Sequence, residues 1–472
     1  MIRKYFLVGA SCFMLGAGGM AAVNAKALAG QPNADTFHML ELFGNILATV
    51  DASYVAPVEH KKLIESAIDG MVSSLDPHSS YLSPDDFEEM RALTKGEYAG
   101  LGIEITSEEG VAKVISPMDD TPAAKAGIKA GDYITAIDGS SIVGEKLDEV
   151  VKKLRGESGQ GVTLTLVRDK KDPFDVKLVR QIIAVKSVKS RMEGDYGYIR
   201  ISAVNENTGR ETVEAVRKLK AGAPAMKGVV LDLRNNPGGL LDQSIEVSDV
   251  FLDGGEVVSE RGRNPKDIER FNAKGGDMLG GLPMVVLING GSASAAEIIA
   301  GALQDRKRAE VIGLTSFGKG SVQSVIALRG GQDGALKLTT GRYYTPSGRS
   351  IQKTGIDPDL EVARTKEEAD YVANKSTQFS EATFTNALNA SEGKVRREAH
   401  KVSYAPPEGY DAKADYQLDK AIEVLKAGSV RAFVGSHRPA GTQVAQAGPA
   451  KASPTAKEKP GPTVAQAKPP GG

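Results

Sequence analysis

The chain is nearly devoid of cysteine. Cys12 stands alone among 472 residues, which excludes a disulfide framework, a thiolate zinc site and cysteine catalysis in the folded protein. Histidine is scarce as well: His38, His60, His78, His400 and His437 are scattered, with no HExxH and no paired spacing that would fix a metal, so a metalloenzyme is not expected. A surplus of one charge is also missing. Lys and Arg number 59 against 60 for Asp and Glu, without a block of like charge, which argues against nucleic acid as a partner.

One long apolar run is present, and it lies at the start. Arg3 and Lys4 precede an uncharged stretch, residues 5–25, rich in Leu, Val, Phe, Ala and Gly, which has the outline of a signal sequence. Val23-Asn24-Ala25 and Ala27-Leu28-Ala29 both place small residues at cleavage positions, so the mature chain is expected to begin near Lys26 or Gly30. The alternative is an uncleaved membrane anchor, since the run is long enough to span if tilted. Both readings export the remainder. Apolar residues continue beyond Cys12, which does not fit a lipoprotein cleavage site.

The rest divides by periodicity. Over residues 36–93, Phe37, Leu40, Phe43, Ile46, Leu47 and Val50, then Leu63, Ala67, Ile68 and Met71, recur at three- and four-residue steps and predict two or three short helices. Ser83-Pro84-Asp85 reads as a cap with proline in the first turn, opening a further helix towards Leu93. Residues 96–185 change character, with β-rich runs at 102–105, 111–114, 133–137 and 162–168 set between glycine turns, and one helix near 146–154. That predicts a small strand-dominated module. From Gly197 strands at 198–202, 228–233, 284–288 and 311–314 alternate with helices at 212–219, after Gly239 and at 294–304. Continuous apolar strands of this kind are expected where helices cover both faces of a parallel or mixed sheet. Residues 369–433 return to a helical pattern, and past Gly435 the Ala, Pro, Gly, Lys, Gln and Thr composition predicts disorder.

Three segments carry chemistry. In Leu287-Ile288-Asn289-Gly290-Gly291-Ser292-Ala293-Ser294-Ala295-Ala296-Glu297 a buried strand ends in a glycine turn and a serine opens a helix of small residues. Such a turn aims a hydroxyl outward beside free backbone N–H groups, which suit a developing oxyanion; an ordinary helix N-cap explains the serine equally well. In Ser316-Phe317-Gly318-Lys319-Gly320-Ser321-Val322-Gln323 a lysine sits between glycines. A serine hydrolase without a usable histidine needs another base, and lysine serves if burial lowers its pKa from about 10.4 towards neutrality. Gln323 is placed to orient the neutral amine without adding charge. Asp232-Leu233-Arg234-Asn235-Asn236-Pro237-Gly238-Gly239 is a strand-to-helix turn whose glycines let a backbone N–H approach a carbonyl closely.

In this order the three segments resemble the carboxyl-terminal processing peptidases, the tail-specific, S41-type serine proteases, whose motifs Asp-Leu-Arg-x-Asn-x-Gly-Gly, Ser-x-Ser-x-x-Glu and Phe-Gly-Lys-Gly-x-x-Gln are all present. The similarity spans residues 36–364 and includes Asp76-Pro77-His78-Ser79-Ser80-Tyr81-Leu82 and Thr340-Gly341-Arg342-Tyr343-Tyr344-Thr345-Pro346-Ser347-Gly348. It implies Ser294 as nucleophile, Lys319 as general base and Gln323 as the residue that positions it. Ser292 competes as nucleophile, but its separation from Lys319 is wrong by two residues. The oxyanion hole would be the N–H of Ala295 with that of Gly239, or of Gly238 if the turn is shifted. Tyr98-Ala99-Gly100-Leu101-Gly102-Ile103 resembles the carboxylate-binding loop of PDZ domains, supported downstream by Thr121-Pro122-Ala123-Ala124, Gly131-Asp132-Tyr133-Ile134 and Ile137-Asp138-Gly139. His78 reads as a structural hydrogen-bonding residue, with a Ser294/His78 pair as the chemical alternative. Arg168, closing a strand of the module, is a candidate for pairing with the core when peptide binds.

The resemblance therefore implies an α/β (mixed α+β) chain with a crotonase-like, ClpP-like spiral protease core, an inserted PDZ domain and helical N- and C-terminal regions. Its parts would be a signal peptide (1–29), an N-terminal helical region (30–95), the PDZ domain (96–184), the serine protease core (185–365), a C-terminal helical region (366–436) and a disordered tail (437–472). It implies no metal and no organic cofactor, an exported protein of the periplasm or the outer side of the inner membrane, and substrates with accessible apolar C-termini. An adaptor protein and a homo-oligomer stay open. Two rival classes are a catalytically inactive PDZ scaffold, which would disrupt Ser294, Lys319 or Gln323, and an acyl-CoA enzyme on the same core fold, which has no use for a terminal-carboxylate module.

Overall fold

The computed structural model describes residues 34–436 apart from 109, 119, 169–171, 265, 375–379, 390–402 and 412, so the expected signal sequence and tail lie outside the described residues. Two helices lead, α1 (Ala34–Ser53) and α2 (His60–Ser73), followed by a short strand β1 (Ser80–Leu82) and α3 (Pro84–Lys95). The apolar residues Phe37, Leu40, Phe43 and Ile46 of α1 remain exposed. Helix α3 starts where its sequence says it should. Ser83 accepts the Asp86 N–H at 3.2 Å, Pro84 occupies the first turn, and Gly96 closes the helix with φ 71°.

The strand-dominated module comprises β2 (Glu97–Gly100), β3 (Ile103–Glu108), β4 (Val111–Pro117), α4 (Pro122–Lys125), β5 (Tyr133–Ile137), β6 (Ser140–Ser141), α5 (Leu147–Leu154), β7 (Gly161–Val167), β8 (Phe174–Val179) and β9 (Gln181–Ala184). Its antiparallel sheet runs β3-β4-β5-β7-β8, with β6 on β5. Alternation along β7 sends Val162, Leu164 and Leu166 inward to meet Leu101, Val114 and Ile134 in a core of its own. Entry and exit strands pair with each other, Glu97 opposite Ala184, so the module is inserted through one two-stranded stalk.

Beyond it come β10 (Val188–Glu193), β11 (Tyr196–Ile201), α6 (Thr208–Gly222), β12 (Gly228–Asp232), α7 (Leu241–Phe251), β13 (Gly255–Arg261), β14 (Ile268–Ala273), β15 (Met284–Ile288), α8 (Ala295–Asp305), β16 (Glu310–Gly313), β17 (Ser321–Ala327), β18 (Ala335–Tyr344) and β19 (Leu360–Glu361). The central sheet runs β10-β11-β12-β15-β16-β19, antiparallel only at β10. Every residue of β12 and β15 is buried, and the two faces have different neighbours. Val229, Leu231, Met284, Val286 and Ile288 pack with α6, α7 and α8, whereas Val230, Val285 and Leu287 pack with the C-terminal helix α10 (Tyr416–Ala427), the latter preceding α11 (Val430–Ser436). Two covered faces explain the unbroken apolar runs.

A second, antiparallel sheet, β1-β18-β13-β14 with β17 on β18, has no counterpart in the sequence reading. Strands such as Ile-Glu-Arg-Phe-Asn-Ala (β14) and Ala-Leu-Lys-Leu-Thr-Thr-Gly-Arg-Tyr-Tyr (β18) keep one side wet and mix charge with β-formers, so no strong period marks them. The helical pattern expected over 369–433 is interrupted among the described residues. Helix α9 (Lys366–Asn374) ends early, and the next described segment is a 3-10 turn at Glu381–Thr383; Pro406, Pro407 and Gly409 then keep the approach to α10 non-helical.

Candidate functional site

Strand β15 delivers its last residue, Ile288, into the turn that ends at Ser294. Ser294 is the N-cap of α8 and holds φ 54°, ψ −115°, a conformation that costs a residue with a side chain about 1–3 kcal/mol. Neighbouring Ser292 is fully buried, its hydroxyl donating to the Leu233 carbonyl at 2.8 Å and accepting the Asn289 N–H at 3.0 Å, so it is a strut of the turn.

The glycine turn after β12 lies directly against Ser294. A Cβ on Gly238 would stand 2.8 Å from the Ser294 Cβ and 2.9 Å from the Ala295 nitrogen, a contact only glycine permits. Asn236 ties the two turns together: its carbonyl accepts the Ala293 N–H and its Oδ1 accepts the Gly238 N–H, each at 2.9 Å. Gly238 thus has its donor occupied. Gly239 is exposed, and among the described residues no acceptor takes its N–H or that of Ala295. Asp232 and Arg234, by contrast, look inward. Arg234 bonds both Asp232 and Asp415, linking the turn to the cap of α10, while Tyr198 donates to Asp232 at 2.7 Å.

The residue that organises the site is Glu297, one turn into α8 and fully buried. Oε2 accepts the backbone N–H of Ser294 at 2.8 Å and that of Lys319 at 2.9 Å; Oε1 accepts the Gly318 N–H at 2.7 Å and the Ser316 hydroxyl at 2.5 Å. Ser316 itself accepts the Ile356 N–H at 2.7 Å, so its proton points at Glu297. All four partners are donors, which suits an ionised carboxylate. Burial pushes the Glu297 carboxyl up to about 7, with those four donors pulling the other way. Since one oxygen serves both, the backbone nitrogens of Ser294 and Lys319 lie no farther apart than the sum of those two bonds. The Ser-x-Ser-x-x-Glu motif contains Glu297 without giving it a role, although a serine followed three residues on by glutamate at a helix start is a capping-box signature.

Lys319 is mostly buried. Burial, assisted by the Lys337 ammonium, brings its amine down to about 8, against the opposing pull of Glu381, Glu297 and Asp76. Those three carboxylates act on it through space, with no hydrogen bond to it. Gln323 reaches the same region differently from expectation: its Nε2 donates to the hydroxyls of Ser321 at 2.9 Å and Thr339 at 3.2 Å. Thr339 in turn donates to Asp76 at 3.0 Å. The Asp76 carboxyl also takes the N–H groups of His78 and Ser79 and the Ser79 hydroxyl. Burial opposes its ionisation, yet these bonds win and hold it below its ordinary value. Pairing of β1 with β18, Ser80 opposite Lys337, brings this N-terminal segment to the site.

His78 bonds Glu381, its Nε2 at 2.8 Å from the carboxylate and its ring edge-on to Phe384, with no hydrogen bond to Ser294 among the described residues. Thr339, Gln352 and Glu381 carry no local pattern that would single them out, because each matters through long-range contacts; Asp76 lies in a recognisable segment that gives it no role.

In the module, Tyr98, Gly100, Leu101, Gly102 and Ile103 line a cavity of about 200 Å³ with Ile105, Val151, Leu154 and Arg155. It lies between the edge strand β3 and helix α5, where an extended peptide can add to the free strand edge. Gly102 has φ 73° and packs against Thr121, leaving no room for a side chain. Ala99 is outside the cavity, paired with Ile182 in the stalk. The guanidinium of Arg155 stands 5.5 Å from the Tyr98 ring centroid and pairs with Glu89 of α3. Arg168 is held inside the module by Asp132, at 2.6 and 2.8 Å, and by the Gly127 carbonyl, so any reach to the core requires breaking that pair.

Family models place this architecture. One described as Peptidase family S41 matches residues 195–362, one described as PDZ domain matches 99–178, and one described as Activating protease CtpB N-terminal domain matches 14–86. The class is therefore a serine peptidase carrying a PDZ domain. The chain is 47% identical over 433 residues to the carboxy-terminal-processing protease of Bartonella bacilliformis, covering 90% of this chain and 96% of that protein. It is 37% identical over 318 residues to a probable CtpA-like serine protease of Staphylococcus haemolyticus, covering 67% of this chain and 63% of that one. Among solved structures, the photosystem II D1 C-terminal processing protease is 31% identical with a TM-score of 0.41, covering 68% of this chain and 92% of that one. The chain belongs to the carboxy-terminal-processing protease family.

Proposed function

We propose that the protein cleaves exported proteins near their C-termini with a Ser294/Lys319 dyad. The observation that carries this reading is the convergence of the Ser294 and Lys319 N–H groups on one oxygen of Glu297, with a Lys319 amine lowered to about 8 and without an ion-pair partner among the described residues. Neutral Lys319 takes the Ser294 proton as Oγ attacks the peptide carbonyl; the N–H groups of Ala295 and Gly239 receive the oxyanion, and water hydrolyses the acyl-enzyme. Gly239 is preferred to Gly238 because the Gly238 donor is spent on Asn236. Gln323 positions Lys319 from β17. Substrates carry apolar C-terminal residues, which suit a pocket walled by Leu101, Ile103, Ile105, Val151 and Leu154. Residues 1–29 direct export to the periplasm.

Digestion of an unfolded reporter with an apolar tail tests the whole reading: wild type cleaves it, Ser294→Ala does not, and amidation of the tail weakens cleavage. Equal cleavage by Ser294→Ala would remove the dyad, whereas no cleavage by wild type would leave a tethering protein as the better account.

A further inference from the structure

The interior around Lys319 holds a contradiction. Three carboxylates, Asp76, Glu297 and Glu381, face an amine that must be neutral to act, and any one of them as an ion-pair partner would stabilise its protonated form. Each is occupied elsewhere. Glu297 has four donors and Asp76 has Ser79, Thr339 and two backbone N–H groups. Those bonds come largely from the backbone or from side chains of the same rigid turn.

Glu381 is different. It arrives on the 3-10 turn Glu381–Thr383, outside the region matched by the peptidase model, and its side chain is fully buried. Its backbone N–H donates to the Phe317 carbonyl at 3.1 Å, two residues before Lys319. Among the described residues its carboxylate is held by two side chains alone: His78 Nε2 on Oε2 and Gln352 Nε2 on Oε1, each at 2.8 Å. Gln352 also accepts the Gly320 N–H at 3.0 Å, so both flanks of Lys319 are tied to this cluster. The His78 side chain is 15% exposed and sits edge-on to Phe384, which fixes the ring plane and thus the direction of its N–H.

We infer that His78 is a positioning residue for the hydrolytic reaction: with Gln352 it holds the Glu381 carboxylate turned away from Lys319, and so keeps the base free of an ion pair. The inference rests on the Ser294/Lys319 reading and deepens it. It gives the Asp-Pro-His segment a task without making its imidazole a base. The charged groups facing Lys319 are Lys337 from β18, Glu297 from α8, Asp76 from the turn before β1 and Glu381 from the C-terminal strap; only the last is restrained by side chains alone. Losing the His78 bond frees Oε2 to rotate towards the amine, which then holds its proton to higher pH.

The test is the pH profile of kcat/KM on the tailed reporter for wild type, His78→Phe, Glu381→Gln and the double variant. Phenylalanine preserves the packing on Phe384 and removes the hydrogen bond. His78→Phe is expected to move the rising limb up by about one pH unit, lowering kcat/KM about tenfold on its acidic side. Adding Glu381→Gln, which removes the competing charge, is expected to bring the limb back to the wild-type position or below it. A purely structural histidine would lower activity evenly across pH and would not be rescued by a second substitution. Should His78→Phe not fold, Gln352→Met removes the other restraint, with the same expected upward shift and the same rescue. A limb that stays in place in the folded single variant, or a shift that persists in the double variant, overturns the inference. If wild type and Ser294→Ala are equally active, the parent reading fails instead.

Discussion

The peptide cavity and the Lys319 interior are built on opposite plans. The cavity draws its lining from the stretch between Tyr98 and Ile105 and from Val151, Leu154 and Arg155 of helix α5 and its C-cap, all within one module. The interior gathers residues 76–79, 297, 316–323, 339, 352 and 381, joined by side-chain and backbone hydrogen bonds across the whole core. A site of the first kind tolerates exchange of its parts, because apolar contacts are interchangeable within limits. One of the second kind does not, since every buried donor lost from Glu297 or Asp76 leaves an unsatisfied group.

The largest effect should fall on Ser294. Ser294→Ala is expected to cost about 10⁵-fold or more in kcat with stability unchanged. Ser294→Gly should be equally inactive yet more stable by about 1 kcal/mol in denaturant unfolding, because glycine relieves φ 54°; equal stability of the two variants would mean that the turn is unstrained. Next comes Glu297→Ala, which strands the Ser316 hydroxyl and the N–H groups of Ser294, Gly318 and Lys319. A loss of about 3 kcal/mol or more, with kcat down about 10³-fold, is expected, and a near-neutral result in both assays would show that another group organises the site.

Lys319 adds a prediction of opposite sign. Its folded pKa is lowered to about 8 from an unfolded value near 10.5, so the unfolded chain binds more protons between those values and stability rises with pH across that window. Below pH 8 the buried charge costs about 3 kcal/mol. Lys319→Met should therefore be inactive but more stable than wild type at pH 7, with the gain shrinking between pH 8 and 10.5; destabilisation at pH 7 would contradict the desolvated amine. The smallest effect belongs to the cavity. Val151→Asp should raise KM about tenfold for a free-carboxylate tail, leave kcat intact, and change little for an amidated tail.

This contrast also explains what could be read beforehand. The cavity loop, the Ser83-Pro84 cap, β5, β15 and the start of α8 are local patterns, and they appear in the structure within a few residues of their expected positions. The expected approach of Ser294 and Lys319 rested on the resemblance and not on a local pattern; in the structure the two backbone N–H groups share Glu297 Oε2. Of the three restrained carboxylates, Asp76 and Glu297 lie in recognisable motifs that give them no role, and Glu381 lies in none. Glu381, Thr339 and Gln352 have ordinary surroundings in sequence, and the meaning of the cluster comes from the pairing of β1 with β18 and the hydrogen bond of Glu381 to Phe317. The antiparallel sheet that makes those contacts is half-exposed and polar, so its strands lack the apolar continuity of β12 and β15.

Central to the account is a neutral, unpaired Lys319 acting on Ser294. Its most direct test is the rate at which a serine-directed phosphonylating reagent labels Ser294 as a function of pH, in wild type, Lys319→Met and His78→Phe. The account predicts a rate that rises through about pH 8 in wild type, falls to background in Lys319→Met and survives with a displaced midpoint in His78→Phe. Labelling that persists in Lys319→Met and vanishes in His78→Phe would contradict it.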